Sequence, residues 1–449
     1  METPLAEMAA RIVRRAMGLG ATDAECTVSA GEEFTATVRM REVENLKEAG
    51  SRAAGLRVLV GQRAGSAYTS DLTEPGIEQM ARSALDLAAV ASEDPHAGLP
   101  EAADLGQLDA DLLLYDERIA ELDTAAKIRW AKDAEEAALS FDPRIQNSEG
   151  ASFDTNLGWQ AFANSRGFQG AYRYSRCTIS VIPVARDGDS LERDYWSSNS
   201  RSLAGLEEPA EVGRIAARRA LRRLHPRKPP TQRAPVVFEA RVARSLLGHI
   251  FEAINGDAVY RQASFLAGKL GQQVAAPGVS VADDGTLPGL FGSAPFDDEG
   301  VPTRRTMVIE DGVLRNYLLN TYTARKLGLR TTGSASRGIT GNAGVGHANL
   351  YLERGSLSPE QIIQSIPNGL YVTELLGFGV NVVTGDYSRG AVGLWIENGE
   401  LAYPVSEITI AGNLQGMLRD IRAVGADLEF RGSVASPTLW IGEMTVSGQ

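Results

Sequence analysis

The chain has 449 residues, which is too long for one ordinary hydrophobic core, so we expect two or three domains. Hydrophobic residues make up 43% and charged residues 23%, a composition typical of soluble globular proteins, and no apolar run is long enough to span a bilayer. The formal net charge of −12 weighs against a general nucleic-acid-binding surface, because affinity for phosphate comes mostly from clustered Lys and Arg.

Residues 1–110 form the first predicted domain, a small α+β unit. Its patterns predict, in chain order, a helix at 5–17, a strand at 25–40, a hairpin at 55–70 and a helix at 73–91. The acidic segment 93–111 is interrupted by prolines and glycines and therefore predicts a connector.

Residues 111–228 form the second predicted domain, with a strand meander and a closing helix. Its patterns predict a helix capped by Asp123 that ends before Pro143, a strand-like aromatic segment at 144–194 and a helix at 207–224. The following segment, 225–235, is rich in prolines and cations and predicts a linker without regular structure.

Residues 229–449 form the third predicted domain, which is rich in β-strands. Its patterns predict a strand at 235–239, a helix at 241–255, many glycine-punctuated strands and one short helix at 358–365. Asn398-Gly399 between apolar runs predicts a hairpin with a type I′ turn, and a bulge is expected near Pro404. The predicted fold class is α+β, with N-terminal α/β regions followed by a large, mainly antiparallel β domain with few helices.

Two features of the chain predict a cytoplasmic location. Cys26 and Cys177 are too few and too far apart for a disulfide scaffold, which fits a reducing compartment. The N-terminal residues place their arginines inside a helical pattern and lack the apolar stretch of a signal peptide.

Two long segments carry a resemblance to a known family. They read FDDEGVPTRRTMVIEDGVLRNYLLNTYTARKLGLRTTG and VTGDYSRGAVGLWIENGELAYPVSEITIAGNL. Both are similar to the TldD/PmbA family of bacterial proteins and, within it, to the PmbA branch, also called TldE. The resemblance implies a cytoplasmic heterodimeric metallopeptidase in which TldD carries zinc and TldE is the partner subunit. It also implies unfolded peptides as substrates, including bacteriocin precursors and antitoxins.

The resemblance also locates the family's zinc helix in this sequence. Active members carry a His-Glu-x-x-x-His helix, and a cysteine near the C-terminus supplies another ligand. The matching segment here is RVARSLLGHIFEAINGD. If His249 is the second histidine, Arg244 occupies the first histidine position and Ser245 the glutamate position. If His249 is the first histidine, Ile250 and Ile254 occupy the other two positions. The C-terminal end has no cysteine, so we expect no zinc, cofactor or catalytic residue in this chain, with zinc in the partner.

His249 also has a local alternative role. Glu252 is three residues away and can share its helix face, and Asp257 follows in the next turn. With Asp297, Asp298 and Glu299 they could form a degenerate metal site, which would make the chain a self-sufficient homodimeric metallohydrolase. The residues favour instead a structural histidine at a helix–sheet contact, partnered by a backbone carbonyl.

Two polar segments are further candidates for a substrate cavity. By composition, Asp297, Asp298 and Glu299 form a solvated turn whose charges can pair with the following Arg304 and Arg305. The glycine-rich run at 338–346 lacks the features of a phosphate-binding loop and predicts a flexible loop. The family resemblance implies that the acidic turn lines the cavity and that TGNA-type loops border it, which adds Gly341 and Asn342.

One basic cluster departs from the acidic composition. It comprises Arg214, Arg218, Arg219, Arg222, Arg223, Arg227 and Lys228. Some family members were first named as modulators of DNA gyrase, so a gyrase-associated regulator that contacts DNA is a second alternative. The pattern favours a solvated helix end whose cations offset the helix dipole.

The resemblance and the composition together give the expected partners. These are a TldD-like subunit or a second copy of this chain, together with unfolded peptides. Neither a membrane nor a nucleic acid is expected as a partner.

Overall fold

The computed structural model describes residues 2–448, which fold into a mixed α+β structure. The helices are α1 (Glu2–Gly18), α2 (Glu74–Val90), α3 (Glu117–Glu121), α4 (Thr124–Leu139), α5 (Pro209–Leu221), α6 (Ala240–Ile254), α7 (Gly256–Tyr260), α8 (Thr321–Leu327), α9 (Pro359–Gln364) and α10 (Leu414–Arg419). No helix among these residues is long and apolar enough to cross a membrane.

The strands fall into an N-terminal and a C-terminal group. The first group is β1 (Asp23–Arg39), β2 (Glu42–Val60), β3 (Arg63–Thr69), β4 (Ile145–Asn164), β5 (Gln169–Asp187), β6 (Ser190–Arg193) and β7 (Trp196–Ser200). The second group is β8 (Gln232–Phe238), β9 (Val281–Asp284), β10 (Arg305–Glu310), β11 (Val313–Leu314), β12 (Ala335–Ser336), β13 (Gly344–Val345), β14 (Leu350–Leu352), β15 (Asn368–Val380), β16 (Asp386–Glu397), β17 (Glu400–Asn413), β18 (Ile421–Val424), β19 (Val434–Ala435) and β20 (Leu439–Ser447).

The N-terminal strands form one antiparallel sheet in the order β3-β2-β1-β4-β5-β6, with β7 also paired to β5. Strands β1 and β4 are paired, so this sheet runs through both the first and the second predicted domain. The domain boundaries stay a prediction.

Both helical layers of the N-terminal region cover the same face of its sheet. Helices α1 and α2 pack over one end, where Cys26 and Val28 are buried, and α4 and α5 pack over the other end, near Val38. Because side chains alternate along a strand, the residues between these positions point to the opposite face. That opposite face, here called the inner face, carries Glu25 and Asp154.

The C-terminal strands form two main sheets around a large hydrophobic core that contains α6. One sheet has the order β11-β10-β9-β14-β19, and the other has the order β17-β16-β15-β8-β20-β18. The second sheet closes on itself, because β17 also pairs with β20. Most pairings are antiparallel; β8–β15 and β14–β19 are parallel.

The structure confirms the predicted α+β class and most local elements. Thr73, Asp123 and Ser358 cap α2, α4 and α9. Asn398 and Gly399 have φ angles of 54° and 79°, as a type I′ turn requires. The register of β16 and β17 shifts on both sides of Pro404, so the predicted bulge is present as two irregularities.

One local prediction is wrong and another is incomplete. The linker predicted at 225–235 contains the start of β8, because Gln232 and Arg233 pair with Val446 and Thr445 of β20, so pairing with a distant strand outweighs the local composition. The hairpin predicted at 55–70 is confirmed, since β2 and β3 pair over these residues. The sequence missed only that β2 starts earlier, at Glu42, and pairs with β1 along nearly its whole length.

Candidate functional site

Helix α6 carries the segment that matches the family's zinc helix. Its buried face comprises Val242, Ala243, Leu246, Leu247, Ile250, Ala253 and Ile254. His249 lies at the flank of this face, and its ring meets the Tyr387 ring of β16 edge-on at 6.2 Å between centroids. The predicted helix–sheet contact is therefore present. Its polar partner differs from the predicted carbonyl, because His249 Nδ1 lies 3.3 Å from Glu252 Oε2.

In either register of the zinc motif, the other positions on α6 hold side chains that cannot bind a metal in the family's manner. With His249 as the first histidine, they are the apolar Ile250 and Ile254. With His249 as the second histidine, they are Arg244 and Ser245. Arg244 is exposed at the first histidine position, and a guanidinium has no free lone pair to offer a cation. Ser245, at the glutamate position, donates its hydroxyl to the Val242 carbonyl at 2.7 Å. His249 and Glu252 remain as two donors, whereas a catalytic zinc needs about three plus an open position. The residues present do not fit the family's zinc.

Asp257 does not extend the helix face of His249 as predicted. Helix α6 ends at Ile254, and Asn255 caps the separate helix α7 by accepting a hydrogen bond from the Asp257 amide at 2.9 Å. The Asp257 carboxylate pairs with Arg261 at 3.2 Å instead. Across residues 2–448, no group of three or more His, Cys, Asp or Glu side chains is placed to hold a metal ion.

The acidic turn is buried, so the predicted solvated turn is wrong. Asp297 and Glu299 are only 7% and 6% exposed. The Asp297 carboxylate accepts hydrogen bonds from the amides of Glu299 and Val301 at 2.9 and 3.0 Å and from Ala335 at 2.9 Å. Burial, with the nearby Glu299 carboxylate, raises the pKa of Asp297 well above its usual value. The predicted pairing with Arg305 is also wrong, since that guanidinium lies 2.6 Å from Glu353.

Asp298 belongs to a buried ionic network that joins the acidic turn to the inner face. Its carboxylate accepts a hydrogen bond from the Arg337 amide at 2.7 Å and another from Gln160 Nε2 at 2.8 Å. The Arg337 guanidinium reaches Glu25 Oε1 at 2.7 Å, and Arg57 reaches the same oxygen at 2.9 Å. Burial alone would raise the pKa of Glu25, but Arg337 and Arg57 together hold it below its usual value.

Part of the predicted cavity set does come together. Glu299 and Asn342 line one cavity of about 530 Å³ with Arg57 and Asp257. Asn342 Oδ1 accepts a hydrogen bond from Arg57 Nε at 2.6 Å. Gly341 has a φ of +89° and open space around its Cα, which fits the predicted loop. His249 and Glu252 lie apart from this group, on the flank of α6.

The sequence reasoning missed Glu25, Arg57, Gln160 and Arg337. Glu25 and Arg57 are direct cross-strand partners in β1 and β2. The local signal that could have marked them is a charged residue between apolar neighbours, as at Glu25 between Ala24 and Cys26 and at Arg57 between Leu56 and Val58. Their joint role depends on segments far away in the chain, which no local pattern reports.

A second cavity, of about 1000 Å³, lies between the inner face and α6. Arg244 and Ser245 line it from the helix, and Asp154 and Arg176 line it from the sheet. In the register with His249 as the second histidine, two positions of the family's zinc motif therefore face a cavity, and an arginine and a serine occupy them.

The basic cluster around α5 is engaged with carboxylates, so the predicted solvated helix end is wrong for its buried members. Arg219 is 7% exposed and forms a two-pronged pair with Glu239, at 2.9 and 3.1 Å. Arg223 reaches Glu374 at 2.6 Å. These cations connect α5 to the C-terminal region because their partners lie on other elements.

Comparisons with known proteins agree with the resemblance. The PmbA/TldA metallopeptidase family descriptions match as domain 1 at residues 24–88, as the central domain at 117–224 and as the C-terminal domain at 231–448. Metalloprotease PmbA of Escherichia coli O157:H7 is 41% identical over 426 residues, which covers 95% of this chain and 92% of that protein. The metalloprotease PmbA homolog of Haemophilus influenzae is 38% identical over 428 residues, with the same coverage of 95% and 92%.

A solved structure shares the whole architecture. The crystal structure of a suspected modulator of DNA gyrase from Bacteroides thetaiotaomicron superposes with a TM-score of 0.91 at 28% identity, covering 99% of this chain and 98% of that one. The chain belongs to the PmbA/TldA metallopeptidase family, which confirms the predicted TldD/PmbA membership.

Proposed function

We propose that this member of the PmbA/TldA metallopeptidase family is the PmbA-type, or TldE, subunit of a two-subunit peptidase. In this proposal a TldD-type partner supplies the zinc and the general base, and this chain supplies part of the cavity wall and the subunit interface. The observation that carries the proposal is the side-chain set of α6, where Arg244 and Ser245 stand at two of the three motif positions. The complex is proposed to act in the cytoplasm.

The proposed substrates are unfolded peptides, including bacteriocin precursors and antitoxins. Peptides of this kind bind in extended form, with main-chain hydrogen bonds giving affinity and side-chain pockets giving selectivity. The inner face of the N-terminal sheet and the cavity beside α6 provide polar walls of the required kind. This chain would therefore hold and orient the peptide, while bond cleavage would occur at the partner's metal.

The proposed interface includes the exposed end of β15. Phe378 is 97% exposed and Leu376 is 50% exposed, and Val383 is 55% exposed in the loop that leads to β16. Single exposed apolar side chains are ordinary on protein surfaces, whereas three of them within eight residues of the chain favour a contact surface. We expect Phe378→Glu to abolish co-purification with the TldD-type subunit, whereas Leu191→Glu on β6, at another exposed apolar position, should retain it. Co-purification of Phe378→Glu at the wild-type level would remove this surface from the proposal.

Metal content tests the proposed division of labour. The purified chain, prepared without chelators, should contain far less than one zinc per molecule by elemental analysis, and the TldD-type subunit should contain about one. Stoichiometric, tightly held zinc in this chain would contradict the proposal. It would favour the self-sufficient homodimeric hydrolase built on His249 and Glu252, whose support here is the buried, unpartnered Nε2 of His249 among the described residues.

The gyrase-associated alternative is tested by DNA binding. Its support is the name of the similar Bacteroides thetaiotaomicron protein and the basic cluster around α5. Arg214 and Arg218 both pair with Glu211, at 2.9 and 3.0 Å, which leaves less positive charge for phosphate. Salt-dependent duplex binding that is lost on charge reversal of these arginines would support the alternative. Equal affinity for the wild type and the reversed variant would exclude this surface.

A further inference from the structure

The cavity between the inner face and α6 has two exposed guanidinium groups without a carboxylate partner in the described part of the chain. Arg244 is exposed at its wall and makes no ion pair or hydrogen bond to residues 2–448. Arg176, on β5, donates to the Asn199 side-chain oxygen at 3.1 Å and lies 5.0 Å from the centre of the Phe291 ring. Both groups therefore keep donors free for an anion that enters the cavity.

A third arginine adds positive potential behind them. Arg201 is 7% exposed, and its guanidinium donates to the backbone carbonyls of Leu290, Phe291 and Ser175 at 3.0, 2.8 and 3.3 Å. These are neutral acceptors, so they do not cancel its charge. Because Arg201 is buried, its charge is screened less by solvent than the charge of a surface arginine. The Phe291 ring contacts both guanidinium groups, with its centre 5.6 Å from Arg201 and 5.0 Å from Arg176.

The sheet side of the cavity also carries carboxylates. Glu33 on β1, Asn156 on β4 and Arg176 on β5 form one cross-strand row of the inner face. Strands lie about 4.8 Å apart, so Glu33 and Arg176 are separated by roughly 10 Å at the backbone and are not paired. Glu33 accepts a hydrogen bond from Asn156 at 3.2 Å, and Asp154 also lines the cavity.

The presence of both signs of charge in the cavity selects among anionic ligands. A polyphosphate or a nucleic acid would place negative charge against Glu33 and Asp154, where like charges repel. An extended peptide with a carboxylate at one end or on one side chain can place that carboxylate at the guanidinium groups and its uncharged part beside Glu33 and Asp154. The volume of about 1000 Å³ also suits a short peptide segment.

We infer that this cavity binds a carboxylate-bearing peptide, with Arg176 and Arg244 as the groups that hold its carboxylate. The inference rests on the proposed function only for the peptide nature of the ligand. Binding requires neither zinc nor the partner subunit. Failure of binding would therefore leave the proposed metal content untouched, and zinc found in this chain would leave the binding measurement valid.

Calorimetric titration of the full-length chain tests the inference. The probe is acetyl-Gly-Gly-Gly-Gly-Glu-amide, which has a single carboxylate, and the matched probe is acetyl-Gly-Gly-Gly-Gly-Gln-amide. We expect the acidic peptide to bind at least about tenfold more tightly at low salt, and its affinity to fall as salt rises. Equal affinity of the two peptides would overturn the inference, as would inorganic phosphate binding as tightly as the acidic peptide.

Variants assign the binding to the two arginines. Arg176→Gln and Arg244→Gln should each lower the affinity for the acidic peptide by about three- to tenfold, and the double variant should lower it further. Arg214→Gln, an exposed arginine of α5 outside the cavity, is the matched control and should bind as the wild type does. Unchanged affinity in the double variant would contradict the assignment. Both substitutions are at exposed positions, so thermal unfolding should confirm an intact fold.

Discussion

Arg337 donates a hydrogen bond from Nη1 to Glu25 Oε1 at 2.7 Å, although the two residues are 312 positions apart in the chain. Their side chains are 4% and 2% exposed. The pair joins β1 of the N-terminal sheet to the segment after β12, and Arg57 donates to the same Glu25 oxygen. The Glu25 carboxylate therefore helps to fix the acidic turn against the inner face, together with the hydrogen bond from Gln160 to Asp298.

Replacing Glu25 should destabilise the protein strongly. Glu25→Ala leaves two buried guanidinium groups without their carboxylate, which costs about 3–5 kcal/mol in comparable sites. Urea unfolding measures this loss. Glu93→Ala, which breaks the exposed pair with Arg63, is the control and should change the unfolding free energy by less than about 1 kcal/mol. A loss in Glu25→Ala as small as the control would show that the network contributes little.

The Glu25 carboxylate should also make the stability of the wild type depend on pH in the acid range. The folded-state pKa of Glu25 is lowered, so its stabilisation is present above the ordinary value of 4.5 and is lost as pH falls through the folded value. The difference in unfolding free energy between the wild type and Glu25→Gln should therefore shrink below about pH 4.

Asp283 on β9 should give the folding stability of the protein the opposite dependence on pH. Its Oδ2 accepts a hydrogen bond from the Ala348 amide at 3.1 Å, and its buried Oδ1 has no partner among the described residues. Burial raises its pKa from 3.8 to about 7. Between these values the folded state binds the proton more tightly than the unfolded state, so stability falls as pH rises.

Asp283→Asn should remove this decline. As pH rises from about 4 to about 8, the unfolding free energy of the variant should increase relative to that of the wild type by on the order of 1–4 kcal/mol. Unfolding measured at several pH values checks this, and Asp86→Asn at an exposed position of α2 is the matched control. Parallel pH profiles for Asp283→Asn and the wild type would contradict the prediction.

Arg219 should stabilise the fold through the planar shape of its guanidinium group as well as through its charge. The guanidinium group donates to both Glu239 carboxylate oxygens, and its Nε also lies 3.2 Å from the Asp194 carboxylate. Arg219→Ala should cost about 3–5 kcal/mol, and Arg219→Lys should cost less but not recover the wild type, since an ammonium cannot make the two-pronged contact. Arg214→Ala, at an exposed pair, should cost less than about 1 kcal/mol. Equal thermal stability of the lysine variant and the wild type would show that charge alone suffices.

The elements that could be predicted from the sequence are those set by neighbouring residues. Helix α6 follows from the spacing of its apolar residues, and the turn at Asn398-Gly399 follows from the positive φ angles that these two residues tolerate. The predicted helix–sheet position of His249 likewise needed only the helix pattern.

The missed features depend on contacts between distant segments. Composition alone predicted that Asp297 is solvated. In the structure its carboxylate accepts a hydrogen bond from the amide of Ala335, 38 positions away. The Glu25–Arg337 pair spans 312 positions. No pattern over a few residues reports such distances, so burial of these charges could be seen only in the folded chain.

The hairpin between β16 and β17 should be sensitive at Gly399. This glycine has a φ of +79°, and a Cβ there would lie 2.8 Å from the Gln364 carbonyl oxygen. Gly399→Ala should therefore cost about 1–3 kcal/mol in urea unfolding, through both backbone strain and this contact. Gly416→Ala in α10, where the space is open, is the control and should be neutral or slightly stabilising. An equal response of the two variants would contradict the prediction.

Peptide cleavage in a reconstitution experiment tests the proposed subunit role most directly. An unfolded peptide is incubated in chelator-free buffer with this chain alone, with the TldD-type subunit of the same organism alone, and with both chains after co-expression. We predict cleavage only when the TldD-type subunit is present, and loss of cleavage when the zinc-helix histidines of that subunit are replaced. Cleavage by this chain alone would contradict the account.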